Sequence, residues 1–176
     1  MVRIYTKDEP ILRKTAVTIP TDEIRSQKIQ GVIADMKQAL VGQDDGVAIC
    51  APQIGQSLRI FVISGRILGD LAADEIGKEV PEIPDRVFIN PEIAKISKKT
   101  EWLDEGCLSL RYLYGKVKRA TKAKVRAYDE RGKRFELGGS GLLAQIFQHE
   151  IDHLEGVIFT DKAKDVKDIP PTTENS

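Results

Sequence analysis

Apolar residues along this chain repeat at helical spacing in two places and gather into short β-branched runs in several others. Across residues 21–41 a Thr-Asp-Glu start leads into Ile29, Ile33, Met36 and Leu40, spaced three or four apart, with Gly42 just past the last turn. This predicts an amphipathic, structural helix. Residues 58–64, 87–89 (before Asn90-Pro91) and 123–128 are short and rich in β-branched or alternating apolar residues, which predicts strands. Asp129-Glu130-Arg131-Gly132-Lys133 predicts a hairpin turn into a strand over residues 134–137. Residues 65–85 mix glycine, proline and charge without clear periodicity and are expected to form a surface insertion with no more than one helical turn. Residues 165–176 are charged, contain Pro170-Pro171, offer little to bury, and are expected to be a disordered tail. There is no internal repeat and no strand–helix–strand alternation. The fold class expected is α+β: antiparallel and mixed short strands packed around a central buried helix, a second amphipathic helix near the N-terminus, and a single domain over residues 1–164.

The strongest helix runs over residues 141–156, between two glycines and free of proline. At about 100° per residue, Leu142, Leu143, Ile146, Phe147, Ile151 and Leu154 cover a wide apolar arc. Gln145, Gln148, Asp152 and Glu155 occupy a narrower polar one. Glu150 falls inside the apolar arc, where a carboxylate loses hydration and needs a functional partner. His149 and His153, four apart, share the border of that arc, so both imidazoles can bind one metal while Glu150 reaches a water on it. These are the only 2 histidines in the chain. A third protein ligand must then be a thiolate or a carboxylate. Cys107 follows Gly106, which lets the backbone approach another group closely. Cys50 sits among small and apolar neighbours and reads as a buried hydrophobe. Cys107 is therefore the expected third ligand.

Composition narrows the class of function. The chain has 176 residues, 41% hydrophobic and 31% charged, enough for one domain with a real core. Lys+Arg and Asp+Glu number 27 each, so no global positive field favours nucleic acid or an anionic membrane. The first ten residues lack an apolar signal run and carry acidic residues that transit peptides avoid. No stretch approaches the roughly 20 apolar residues that span a bilayer. Both cysteines are expected to be reduced and the protein cytoplasmic.

Three segments together resemble the peptide deformylase family: Gly46-Val47-Ala48-Ile49-Cys50-Ala51-Pro52-Gln53, Glu105-Gly106-Cys107-Leu108-Ser109, and Gln148-His149-Glu150-Ile151-Asp152-His153. The likeness extends to Pro10-Ile11-Leu12-Arg13, Ile89-Asn90-Pro91 and Gly141-Leu142-Leu143-Ala144. It implies removal of the N-formyl group from the N-terminal methionine of newly made bacterial proteins, releasing formate. Cys107, His149 and His153 would hold one divalent metal ion, natively iron(II) (Fe2+), with Zn2+, Ni2+ or Co2+ as substitutes. Glu150 would act as general base on the metal-bound water. The Gln53 side-chain amide and the Leu108 N–H would donate to the oxyanion. The formylmethionyl peptide would lie extended along a strand edge near Val47 and Ala48, its methionine side chain in a pocket lined by Leu142 and Ile146. Glu105 and Arg119 match a structural pair bracing the cysteine strand. The resemblance also implies transient ribosome association, with no direct nucleic-acid function and no membrane.

The chain departs from the family pattern at Ala48 and Cys50, each bulkier than usual, at Leu110-Arg111, where an apolar residue and proline are common, and at Tyr114, where arginine is frequent. Two other readings stay open. One is a zinc peptidase of the His-Glu-x-x-His kind, which usually needs a third histidine or a downstream glutamate. The other is a deformylase-like binding module impaired by the altered first segment.

Overall fold

The computed structural model describes residues 2–170. It is an α+β fold whose regular elements are, in chain order, α1 (Gln27–Val41), β1 (Ala48–Cys50), β2 (Ile60–Ile63), α2 (Gly65–Ile76), β3 (Arg86–Ile96), β4 (Thr100–Gly106), β5 (Leu113–Ala120), β6 (Lys122–Tyr128), β7 (Arg134–Ser140), α3 (Gly141–Leu154) and β8 (Lys164–Asp168). Five strands form one sheet in the order β1-β2-β3-β6-β7, and β4-β5-β8 form a second, with every pairing antiparallel.

Strand β2 of the five-stranded sheet is buried on both faces, so it reads as a continuous apolar run. Strand side chains alternate, and each face meets a different helix. Ile60 and Val62, with Ile49, Val87 and Ile89, pack beneath Ile29, Ile33, Met36 and Leu40 of α1. Phe61 and Ile63, with Phe88 and Val125, pack against Ile146, Phe147 and Leu154 of α3. On the α3 side Phe88 stacks on Phe61 at 4.4 Å between centroids and meets the edge of Phe147 at 5.7 Å.

The expected elements are present with shifted limits. The first helix begins at Gln27, because residues 21–25 are taken up in turns and Ser26, whose Oγ accepts from the Ile29 N–H at 3.3 Å, is the cap. β3 does not stop at Asn90-Pro91. It passes through a bulge there, with Asn90 at φ 50°. The Asn90 amide is held on both sides, its Oδ1 accepting from the Ile19 N–H at 2.9 Å and its Nδ2 donating to the Ile19 carbonyl at 2.7 Å.

Two expectations are corrected. Residues 65–85 contain a helix, α2, of 12 residues and not a single turn. It starts on Gly65 because the returning segment lies against it: a Cβ there would fall 1.8 Å from the Ile83 carbonyl oxygen, and Asp85 accepts from the Gly65 N–H at 2.8 Å. The expected tail is ordered as strand β8 over Lys164–Asp168, paired with β5. All five of its side chains are exposed, so main-chain bonding to β5 holds it without apolar burial. The rest of the expected tail, residues 171–176, lies outside the described residues.

Phe88 carries the packing between sheet and α3. Phe88→Ala is expected to destabilise the protein by about 3–5 kcal/mol, read as a lower urea midpoint with an unchanged slope. A loss under about 1 kcal/mol would contradict this account of the core.

Candidate active site

Cys107 follows the last residue of β4, in a turn closed by the Leu110 N–H on its carbonyl at 3.0 Å. His149 and His153 stand one turn apart on α3, their rings 4.8 Å between centroids. The structure brings the three together: one donor atom from each lies within 4.8 Å of the others, and the Cys107 Sγ is 3.2 Å from the His153 Nε2.

Two of the donors, His149 and Cys107, are prepared by their neighbours. Glu105 Oε1 lies 2.6 Å from the His149 Nδ1, which places the proton on Nδ1 and leaves the Nε2 lone pair toward the cluster. Glu105 is in turn gripped by Arg119 through two bonds of 2.6 and 2.9 Å, and Arg119 also donates to Asp152 of α3 at 2.6 Å. Burial raises the Glu105 carboxyl, but the His149 and Arg119 hydrogen bonds and charges outweigh it and bring the pKa to about 2. At Cys107 burial likewise raises the thiol, while the charge of His153 and the hydrogen bonds from both histidines bring it down to about 5. His149 is raised despite burial, by its bonds to Cys107 and Glu105. These neighbours favour the thiolate, the form a metal binds.

The donor chemistry fits a divalent cation. One thiolate and two imidazoles are a three-ligand set that leaves a coordination position for water or substrate. Glu150 is 3% exposed, and its Oε2 has no hydrogen-bond partner among the described residues. Burial raises its pKa, opposed by the charges of His149 and His153. A buried, unpartnered carboxylate beside this cluster is costly unless a ligand or reaction uses it.

Gln53 sits in a buried 3-10 turn, Ala51–Ile54, just after β1, and is 2% exposed. Its Oε1 accepts from the Cys50 N–H at 2.9 Å and faces the Cys50 thiol at 3.3 Å. Its Nε2 is thereby turned toward Ser109 Oγ at 3.1 Å and Cys107 Sγ at 3.5 Å. Cys50 is fully buried and free, in the core and outside the donor cluster.

A cavity of about 310 Å³ opens onto these groups, its lining including Gln53, Leu108, Glu150, Ala48, Leu142 and Ile146. Val47 also lines it, but the Val47 carbonyl is already bonded to the Ser64 N–H at 2.9 Å. Bonded and non-bonded positions alternate along an antiparallel ladder, so Ala48 turns its N–H and C=O to the free edge of β1. Of the pair, Ala48 therefore has its main chain at the free edge, while Val47 lines the cavity.

Two supporting residues had escaped the sequence reading. Ser109 is buried and anchors the Gln53 amide; its place beside Leu108 in the cysteine segment was the available signal. Asp152, assigned only to the polar arc of α3, pairs with Arg119 and with Lys162 at 2.7 Å. Nothing in the sequence signals that long-range partnership.

Residues 1–168 match the family model described as polypeptide deformylase. The chain is 36% identical over 159 residues to peptide deformylase 2 of Clostridium acetobutylicum, covering 90% of this chain and 93% of that one. A peptide deformylase crystal structure from Legionella pneumophila superposes with TM-score 0.79 at 37% identity, covering 94% of this chain and 88% of the other. A Met-Ala-Ser-bound class I type b peptide deformylase from Acinetobacter baumannii superposes with TM-score 0.78 at 30% identity, covering 92% and 98%.

The Glu105 pKa, depressed from 4.5 to about 2, makes a signed prediction. A carboxylate whose folded pKa lies below its unfolded value contributes stability that is complete above the unfolded pKa and lost as pH falls through the folded one. Stability should therefore decline between pH 4.5 and about 2 with a contribution from Glu105 that Glu105→Gln lacks. Removing only the partner, by Arg119→Met, should cost about 3–5 kcal/mol at neutral pH, because it strands a buried charge. Chemical denaturation across that pH range checks both, and an Arg119→Met protein as stable as the parent would contradict the pairing.

Proposed function

The chain belongs to the peptide deformylase family, and from that premise we propose that Cys107, His149 and His153 hold the metal while Glu150, Gln53 and Leu108 perform the chemistry. The protein is a metal-dependent deformylase, and formylmethionyl peptides are its substrates. The observation that carries the residue assignment is the buried, unpartnered Glu150 beside a convergent thiol and two imidazoles.

A divalent cation in that set supplies Lewis acidity toward the formyl oxygen and acidifies water. Thiolate with two imidazoles suits several first-row ions, and our reading is iron(II), with zinc, nickel or cobalt as substitutes. Glu150 takes a proton from the attacking water and returns it to the leaving amine. Burial raises its pKa, which favours uptake of the proton that it then returns. The developing oxyanion is met by the Gln53 amide, whose orientation Cys50 and Ser109 already fix, and by the Leu108 N–H. The peptide adds as a strand to the free edge of β1 at Ala48, and its methionine side chain enters the space between Val47, Leu142 and Ile146.

The site draws on residues from Val47 to His153, in keeping with one catalytic domain over residues 1–164. No helix among the described residues is long and apolar enough to cross a membrane. A substrate newly released from synthesis places the enzyme in the cytoplasm, in transient contact with the ribosome. The peptidase reading lacks the further histidine or glutamate ligand that such enzymes need.

Formate release from formyl-Met-Ala-Ser is the direct assay. Glu150→Gln is expected to lower turnover by about 100-fold or more with metal retained, and Gln53→Ala by about 100-fold. Unchanged turnover in either variant would remove that residue from the mechanism. Cleavage of an internal peptide bond without formate release would favour the peptidase.

A further inference from the structure

Cys50 stands at the head of the turn that carries Gln53, and Cys50-Ala51-Pro52-Gln53 has the form of a capping box with cysteine in the place of serine or threonine. The Cys50 N–H can only donate, so the Gln53 atom 2.9 Å from it is the amide oxygen, Oε1. An amide oxygen can only accept, so the Cys50 sulfur 3.3 Å from it donates its S–H. Burial pushes the thiol well above its ordinary pKa, and the charge of Glu150 adds to this, which keeps the proton on sulfur. Gln53 Oε1 therefore accepts two bonds from one residue. Any residue could supply the main-chain bond. The side-chain bond needs a donor, and this is a position at which the chain departs from the family pattern.

The amide is one conjugated group. Donors on its oxygen draw charge from its nitrogen, and hydrogen bonds in such a chain strengthen one another. Turning the amide over would break both bonds, set its N–H groups against the Cys50 N–H, and present an oxygen where an oxyanion develops. We infer that Cys50 is a positioning residue for deformylation, its S–H holding and polarising the Gln53 amide so that Nε2 faces the reacting oxygen. Cys50 belongs neither to the cavity lining nor to the donor cluster, so it acts only through Gln53. This inference rests on the deformylase reading and on the oxyanion role of Gln53.

The test measures kcat, KM and metal content on formyl-Met-Ala-Ser with the metal-loaded enzyme. Loss of one neutral hydrogen bond predicts a kcat about fivefold lower in Cys50→Ala, with KM and metal content unchanged. Cys50→Ser, which keeps a donor, should hold kcat near the parent value. In a Gln53→Ala background Cys50→Ala should have no further effect, because the group it acts through is gone. If Cys50→Ala does not fold, Cys50→Val, which has no donor and leaves no cavity, takes its place. An unchanged kcat in Cys50→Ala overturns the inference, as does an equal loss in Cys50→Ser. A loss that persists undiminished in the Gln53→Ala background, or that appears in KM alone, overturns it too. Absence of formate from the parent enzyme overturns the deformylase reading itself.

Discussion

The cleft is organised by the buried ion pair of Glu105 with Arg119. Glu105 comes from β4 and Arg119 from β5, and between them they reach two residues of α3: His149 through Glu105, and Asp152 through Arg119. The side chains of both are less than 5% exposed, so each charge has lost its water and must be compensated inside the protein. The compensation is complete: two carboxylates meet one guanidinium, and Asp152 also meets Lys162. Well-packed hydrophobic residues of the same volume could match this network in stability. They could not set the His149 tautomer or tie a strand carrying a thiol to a helix carrying two imidazoles.

The remaining geometry follows from that fastening. The five-stranded sheet presents its short edge strand β1, and the second sheet presents the end of β4, with α3 beneath both. Gln53 bridges from the turn after β1 to Ser109 beyond Cys107, so the amide on one wall is referenced to the ligand turn on the other. Arg111 adds a second tie outside, donating to both Asp45 oxygens at 3.1 Å and to Gln43. Ala48 and Cys50, bulkier than the family pattern, are both accommodated. Cys50 fills core against Phe61 and Ile63, and Ala48 keeps its main chain at the open edge.

How much was legible depended on whether the signal was local. α3 could be read because its apolar arc, bracketing glycines and paired histidines all lie within 16 residues, and Glu150 was placed correctly on the buried side by angle alone. Cys107 followed from the histidine count and a flanking glycine. α2 was obscured by Gly69 and the nearby Pro81 and Pro84, although Ile67, Leu68 and Leu71 do recur at helical spacing. β4 and β8 gave no pattern because their side chains are mostly exposed; main-chain pairing to β5 defines them. β3 looked finished at Asn90-Pro91 because that pair usually marks a turn, whereas here it makes a bulge secured by Ile19, a partner 71 residues away. The Arg119–Asp152 contact and the choice of Ala48 over Val47 depend on strand register, which local sequence does not contain.

The central claim is that one thiolate and two imidazoles, one of them aligned by Glu105, form the metal site. It is tested most directly by metal content per chain in protein prepared without oxygen, comparing the parent with Cys107→Ser and Cys50→Ser. The account predicts a stoichiometric divalent ion in the parent and in Cys50→Ser, and its loss in Cys107→Ser. Retention in Cys107→Ser together with loss in Cys50→Ser would contradict it.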